Sequence, residues 1–241
     1  MRVLSIGNSF SKDATRYLHW IAAADKVELE TVNLYIPGCP LERHYRNMLS
    51  GERAYDLHYN GQVTGFKVSM EEALLSRKWD VITLQQQSVS SPYWDTFEPY
   101  ITALYDYVKE CSPKAKILLH QTWGLGNGSE RLAATEFESY DTMFVEIEKN
   151  YAKCEELLAA DGIIPSGRLV ADMLHSGIEQ MHRDGLHVTK GFGRYALGLL
   201  WYRMLTGNTV TQNTFCDFDE PIPEGQIQLI KGYVDSLTPI L

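Results

Sequence analysis

The chain opens on an apolar run, Val3-Leu4-Ser5-Ile6, that stops at Gly7 and gives way to Asn8-Ser9-Phe10-Ser11. This reads as a buried strand, a tight turn and the entry to a helix. Ala14, Leu18, Ile21 and Ala22 recur at helical spacing, which predicts one amphipathic helix from Lys12 to about Asp25. Alternation from Val27 to Ile36 predicts a second strand, halted by Pro37-Gly38-Cys39-Pro40. A short helix is expected from Leu41 to about Leu49. The Asn60-Gly61 pair within Leu57–Val63 suits a two-residue hairpin turn and reads as a small insertion.

Beyond it the periodicity switches repeatedly between two and 3.6. Ser69 opens a helix to about Arg77, with Glu72 at the capping-box position. Asp80–Leu84 is a buried strand running into Gln85-Gln86-Gln87-Ser88, and a helix is expected from about Thr96 to Glu110. Lys116–His120 supplies a fourth strand, followed by a stretch from Gln121 to Gly128 glycine-rich enough to predict a mobile loop. A long helix from about Glu136 to Ala160, a short strand at Asp161–Pro165 and a helix from Leu169 to about Met181 come next. The Asp184–His187 loop then leads to a helix from Gly191 to Leu205 capped by Gly207, and to a last one from about Glu224 to Ser236. Strands alternating with helices predict the α/β class: a three-layer α/β/α sandwich on a mainly parallel five-stranded sheet, with the hairpin as an insertion. No repeat or linker divides residues 1–241, so one domain is expected.

Composition narrows the function classes. With 241 residues and 44% hydrophobic content, the chain can bury one sizeable core. A formal net charge of -9 with no Lys/Arg cluster argues against nucleic acid as a partner. Cys39, Cys111, Cys154 and Cys216 lack the short spacings of zinc sites or redox pairs and are expected to be free thiols. No apolar stretch reaches the roughly 18 residues a membrane span needs, and the opening residues lack a signal-peptide pattern. The expectation is no membrane partner and a cytoplasmic location, with export left open for a chain whose leader has been removed.

Chemistry concentrates at two places. Ser9 lies at the carboxyl end of the first strand and at a helix start, where unpaired amides and the positive dipole end favour a developing oxyanion. A hydroxyl needs an imidazole to take its proton, and that imidazole needs a partner to fix its tautomer. Asp184 and His187, three apart in a loop, can supply both. A Gly-x-Ser turn on its own is more often plain turn chemistry, so the weight of Ser9 rests on this distant pair. His120 ends a strand on the same side of the sheet and is a candidate for substrate contact. Tyr93, Trp94 and Trp123 lie on loops at those strand ends, where aromatic faces can stack on a sugar ring. A metallohydrolase built on Asp172, His175, His182 and Asp184 lacks any motif such as His-Glu-x-x-His, so no metal and no cofactor are expected. A non-catalytic module binding a sugar or small ligand on the same sheet is the rival reading.

Gly7-Asn8-Ser9-Phe10-Ser11, Gly38 after the second strand, a polar cluster after the third and Asp184-Gly185-Leu186-His187 together resemble the block pattern of SGNH (GDSL-like) hydrolases. More narrowly, Gly-Asn-Ser-Phe-Ser, Trp79-Asp80-Val81-Ile82-Thr83-Leu84-Gln85 and the stretch from Asp184 to Gly191 are similar to a bacterial branch known mainly as a domain of unknown function. The resemblance spans about the whole chain. It implies a flavodoxin-like fold and hydrolysis of a small-molecule or carbohydrate ester, acetyl esters among them, through an acyl-enzyme. Ser9 is the implied nucleophile, His187 the base and Asp184 its orienter, with the amides of Ser9 and Gly38 as oxyanion donors. Two positions depart from the family pattern. Asn8 replaces the usual Asp before the serine, and Gln85-Gln86-Gln87 replaces Gly-x-Asn. Counting along the turn puts Gln87 on the Asn position, whereas the Gln-Gly-Glu phrase of sugar-ester-cleaving relatives selects Gln85. Both project to one side if the strand continues. Gln85 is favoured as the third donor, with Gln87 in reserve.

Overall fold

The computed structural model describes residues 1–178 and 181–241. In chain order its elements are β1 (Arg2–Gly7), α1 (Ser9–Thr15), α2 (Leu18–Ala24), β2 (Glu30–Tyr35), α3 (Leu41–Ser50), β3 (Tyr55–Tyr59), β4 (Gln62–Val68), α4 (Met70–Leu75) and β5 (Val81–Leu84). There follow α5 (Tyr100–Cys111), β6 (Lys116–His120), α6 (Glu130–Ala133), α7 (Tyr140–Leu158), β7 (Ile163–Ile164), α8 (Ser166–His175), α9 (Phe192–Thr206) and α10 (Glu224–Ser236).

β1 is the axis of the sheet. It pairs in parallel with β2 on one side and β5 on the other, and β6 and β7 continue the parallel run. Val3, Leu4 and Ile6 are at most 1% exposed, because helices cover both faces: α1, α2, α9 and α10 pack together in one layer, and α3, α4, α5 and α7 in the other. Strands buried on both faces read as apolar runs without clean alternation, which is how β1 and β5 look in sequence.

The sheet has seven strands where the sequence predicts five, in the order β4-β3-β2-β1-β5-β6-β7. The hairpin is not an appendage: β3 hydrogen-bonds antiparallel to β2, so β3 and β4 extend the sheet past its parallel part. Counted alone, the parallel strands run second, first, third, fourth, fifth. That is the flavodoxin-like order, and it places a topological switch point between β1 and β5, with a crevice at their carboxyl ends.

The single helix expected over residues 12–25 is two helices, α1 and α2, broken at Arg16-Tyr17. At the break the Asn60-Gly61 turn presses on the chain, since a Cβ at Gly61 would lie 2.2 Å from the Arg16 carbonyl oxygen. Tyr17 turns inward there to donate to the Lys190 carbonyl at 2.7 Å. The helix expected from 169 to 181 ends at His175, and residues 179 and 180 of that expectation lie outside the described residues. The stretch Gln121–Gly126, expected as a mobile loop, is buried along its length, with the Gly126 amide donating to the Gly185 carbonyl at 2.8 Å. Among the described residues no helix is long and apolar enough to cross a membrane.

Candidate active site

Ser9 stands where β1 gives way to α1, at the switch point. Asn8 caps the helix, its Oδ1 accepting from the Phe10 amide at 3.0 Å. With seven residues α1 has little macrodipole to offer, so the local donors matter more than the helix. Among the described residues the Ser9 amide donates to no other group, and neither does that of Gly38. Gly38 sits in a turn closed by the Cys39 amide and the Ile36 carbonyl at 3.3 Å. Its φ of +57° is one that glycine adopts without strain and that side-chain-bearing residues adopt only rarely.

The distant loop meets Ser9. His187 Nε2 lies 2.8 Å from Ser9 Oγ, and His187 Nδ1 lies 2.7 Å from Asp184 Oδ2. Because a carboxylate only accepts, Nδ1 carries the proton and Nε2 presents its lone pair to the serine hydroxyl. Asp184 Oδ1 accepts the amides of Leu186 and His187 at 3.1 and 2.7 Å, locking the carboxylate to its own loop. Burial alone would raise the Asp184 pKa. The amide and imidazole donors around it outweigh that and hold it down to about 2, so the carboxylate is charged throughout the working range.

Several groups hold this loop against the sheet. Trp123 Nε1 donates to the Leu186 carbonyl at 2.8 Å, and its ring stacks on Phe10 at 3.7 Å. The Phe10 ring in turn meets the His187 imidazole edge-on at 6.2 Å. Arg183 donates to Asp13 of α1 at 3.0 Å and to the Val188 carbonyl. Asp13, 1% exposed, also accepts from Arg194 of α9 at 2.8 Å. Helix α1, which carries Ser9, and the histidine loop thus share one buried ion network. Arg194 is the mark this network leaves in the sequence: a cation in the first turn of a largely apolar helix requires a buried partner.

The remaining candidates separate. Gln85 is 2% exposed; its Nε2 donates to Asn8 Oδ1 at 2.9 Å and its Oε1 lies 2.8 Å from His120 Nδ1. Gln87 is half-buried, and its side chain has no hydrogen-bond partner among the described residues. Two substrate-contact expectations are corrected. His120 and Trp123 are each 0% exposed and pack beneath the crevice, because the chain after β6 turns inward and passes under the Asp184–His187 loop. Trp94 is half-buried, packed on Phe97 and capped by the Lys153 ammonium at 3.7 Å. Tyr93 donates to Glu136. The residues of the metallohydrolase alternative point apart: Asp172 accepts from Tyr233, His175 pairs with Asp141, and His182 lies against the Gly124 carbonyl.

The sequence matches, over residues 2–225, a family described as a domain of unknown function, DUF4886. A DUF4886 family protein from Bacteroides uniformis is 30% identical, with a TM-score of 0.89 over 98% of this chain and 93% of that one. A protein from Slackia heliotrinireducens provisionally named an SGNH hydrolase superposes with a TM-score of 0.62 at 20% identity, over 84% of this chain and 97% of its own. One from Parabacteroides merdae provisionally named a GDSL-like lipase gives 0.56 at 17% identity, over 83% and 93%. These last two establish a shared SGNH-like fold. A search of curated proteins finds none that matches.

Proposed function

The chain belongs to the DUF4886 family, and from its site we propose that it is a metal-independent serine esterase acting on acyl esters through an acyl-enzyme. The observation that carries this reading is the continuous chain Ser9 Oγ, His187 Nε2, His187 Nδ1, Asp184 Oδ2, with contacts of 2.8 and 2.7 Å. In it Ser9 donates its proton to Nε2 as Oγ attacks the ester carbonyl, and Asp184 stabilises the imidazolium that forms. The imidazolium returns the proton to the leaving alcohol. Water then attacks the acyl-enzyme with His187 again as base, releasing the acid and Ser9.

The carbonyl oxygen becomes anionic in both halves. The Ser9 and Gly38 amides and the Gln85 side chain are the proposed donors, and each such donor is worth roughly 10²–10³-fold in rate. Gln85 is preferred to Gln87 because its carboxamide is tied to Asn8, the residue beside the nucleophile. A carbohydrate alcohol rests on the sugar-esterase Gln phrase alone, since Trp123 is buried and Trp94 is covered by Lys153.

The test is turnover of an activated acetate ester. Ser9→Ala and His187→Ala should each lose at least roughly 10³-fold in kcat, and the wild-type rate should survive chelation. A loss below tenfold in either folded variant contradicts the mechanism.

A further inference from the structure

Four side-chain and backbone groups cross the carboxyl end of the sheet in one line: His120 at the end of β6, Gln85 after β5, Asn8 after β1 and the Cys39 carbonyl after β2. The two ends of a carboxamide differ only in whether they donate or accept, and here the backbone decides which end faces which partner. The Phe10 amide can only donate, so the Asn8 atom facing it at 3.0 Å is Oδ1. The Cys39 carbonyl can only accept, so the Asn8 atom 3.1 Å away is Nδ2. Asn8 Oδ1 therefore requires a donor from Gln85, which is Nε2 at 2.9 Å. Gln85 Oε1 is left facing His120 Nδ1 at 2.8 Å, and only a protonated Nδ1 can serve it.

We propose that His120 is a positioning residue for the oxyanion hole: its Nδ1–H anchors Gln85 by Oε1, so that Gln85 Nε2 spends one N–H on Asn8 and offers the second to the substrate oxyanion. This rests on the esterase reading above and deepens it. The second N–H of Gln85 has no acceptor among the described residues. The Gly7 backbone crosses directly over the carboxamide, since a Cβ there would lie 2.8 Å from Oε1. The same line ties the two backbone donors together, because Asn8 precedes Ser9 and its Nδ2 holds the carbonyl just after Gly38.

His120 is suited to this task and to no proton transfer. It is 0% exposed, its ring is met edge-on by Trp201 at 4.8 Å, and its Nε2 has no partner among the described residues. A bare Nε2 lone pair is what the Nδ1–H tautomer leaves. Burial pushes the pKa down to about 3, so the ring is neutral and the donated hydrogen stays in place at working pH.

Two measurements test this. In 15N-labelled wild-type protein, long-range 15N–1H correlation should show His120 as the Nδ1–H tautomer; a resonance pattern for Nε2–H overturns the assignment whether or not any variant folds. In kinetics on the same acetate ester, His120→Leu should lower kcat by about 10–100-fold with KM within about threefold, the indirect counterpart of losing one donor. His120→Asn, which keeps an N–H near the Nδ1 position, should recover kcat to within about threefold of wild type. In a Gln85→Ala background, His120→Leu should add less than about threefold, because the two act as one unit. Wild-type kcat in folded His120→Leu while Ser9→Ala is inactive overturns the positioning role; wild-type kcat in Ser9→Ala overturns the esterase reading instead.

Discussion

Asn8 performs three tasks with one short side chain: Oδ1 accepts from the Phe10 amide and from Gln85, and Nδ2 donates to the Cys39 carbonyl. The SGNH pattern usually has Asp at this position, and the reason for the difference is visible. A carboxylate oxygen in place of Nδ2 would face a carbonyl oxygen at 3.1 Å in a site 2% exposed, leaving two acceptors opposed and no donor. Asn8→Asp is therefore expected to cost about 1–3 kcal/mol of stability, read as a lower denaturant midpoint at unchanged m-value, and to lower turnover by loosening the Gly38 turn. An equally stable Asn8→Asp protein would contradict the hydrogen-bond line. At this scale the meeting of Ser9, His187 and Asp184 was legible because serine, histidine and aspartate in a family-like order carry their own chemistry. The burial of His120 and Trp123 was not, since a residue at a strand end points into the crevice or beneath it according to the path of the chain that follows.

The Asp184–His187 loop shows what an element adds. Gly185 has φ +73°, and a Cβ there would lie 2.5 Å from Ser129 Cβ, so the tight return that folds Asp184 onto the amides of residues 186 and 187 needs glycine. Gly185→Ala combines a strained backbone conformation with a steric conflict. It is expected to cost about 1–3 kcal/mol and to displace the carboxylate, lowering kcat by roughly 10²-fold. Thermal melting and steady-state kinetics read both effects, and a fully active, equally stable variant would show that the loop geometry is not required. Elements with strong local signals were readable: the capping box at Ser69–Glu72, the β5 run and the glycine cap at Gly207 all stand where the sequence puts them. Those decided by tertiary contact were not. The break in the first helix depends on Gly61 and Tyr17 meeting partners 45 and 173 residues away, and the pairing of β3 with β2 leaves no mark on local periodicity.

Across the whole molecule, the strand order brings the ends of β1, β2, β5 and β6 to one rim. Ser9, a turn glycine, the Gln cluster and His120 converge there, and His187 meets Ser9 from 178 positions away. A second tie, Arg183–Asp13–Arg194, fixes the histidine loop to the helix that carries Ser9. Such a long-range meeting follows from topology rather than from any local pattern, and only the family-like order of blocks made it readable in advance. Everything proposed for this site depends on Ser9 being a nucleophile activated by His187. Its most direct test is labelling of the wild-type chain with a fluorophosphonate, followed by intact-mass measurement and peptide mapping. One phosphonyl group is expected on Ser9 Oγ with loss of fluoride, none in Ser9→Ala, and labelling at least roughly 10²-fold slower in His187→Ala. A folded wild-type chain left unlabelled at Ser9, under conditions that label a known serine esterase, would contradict it.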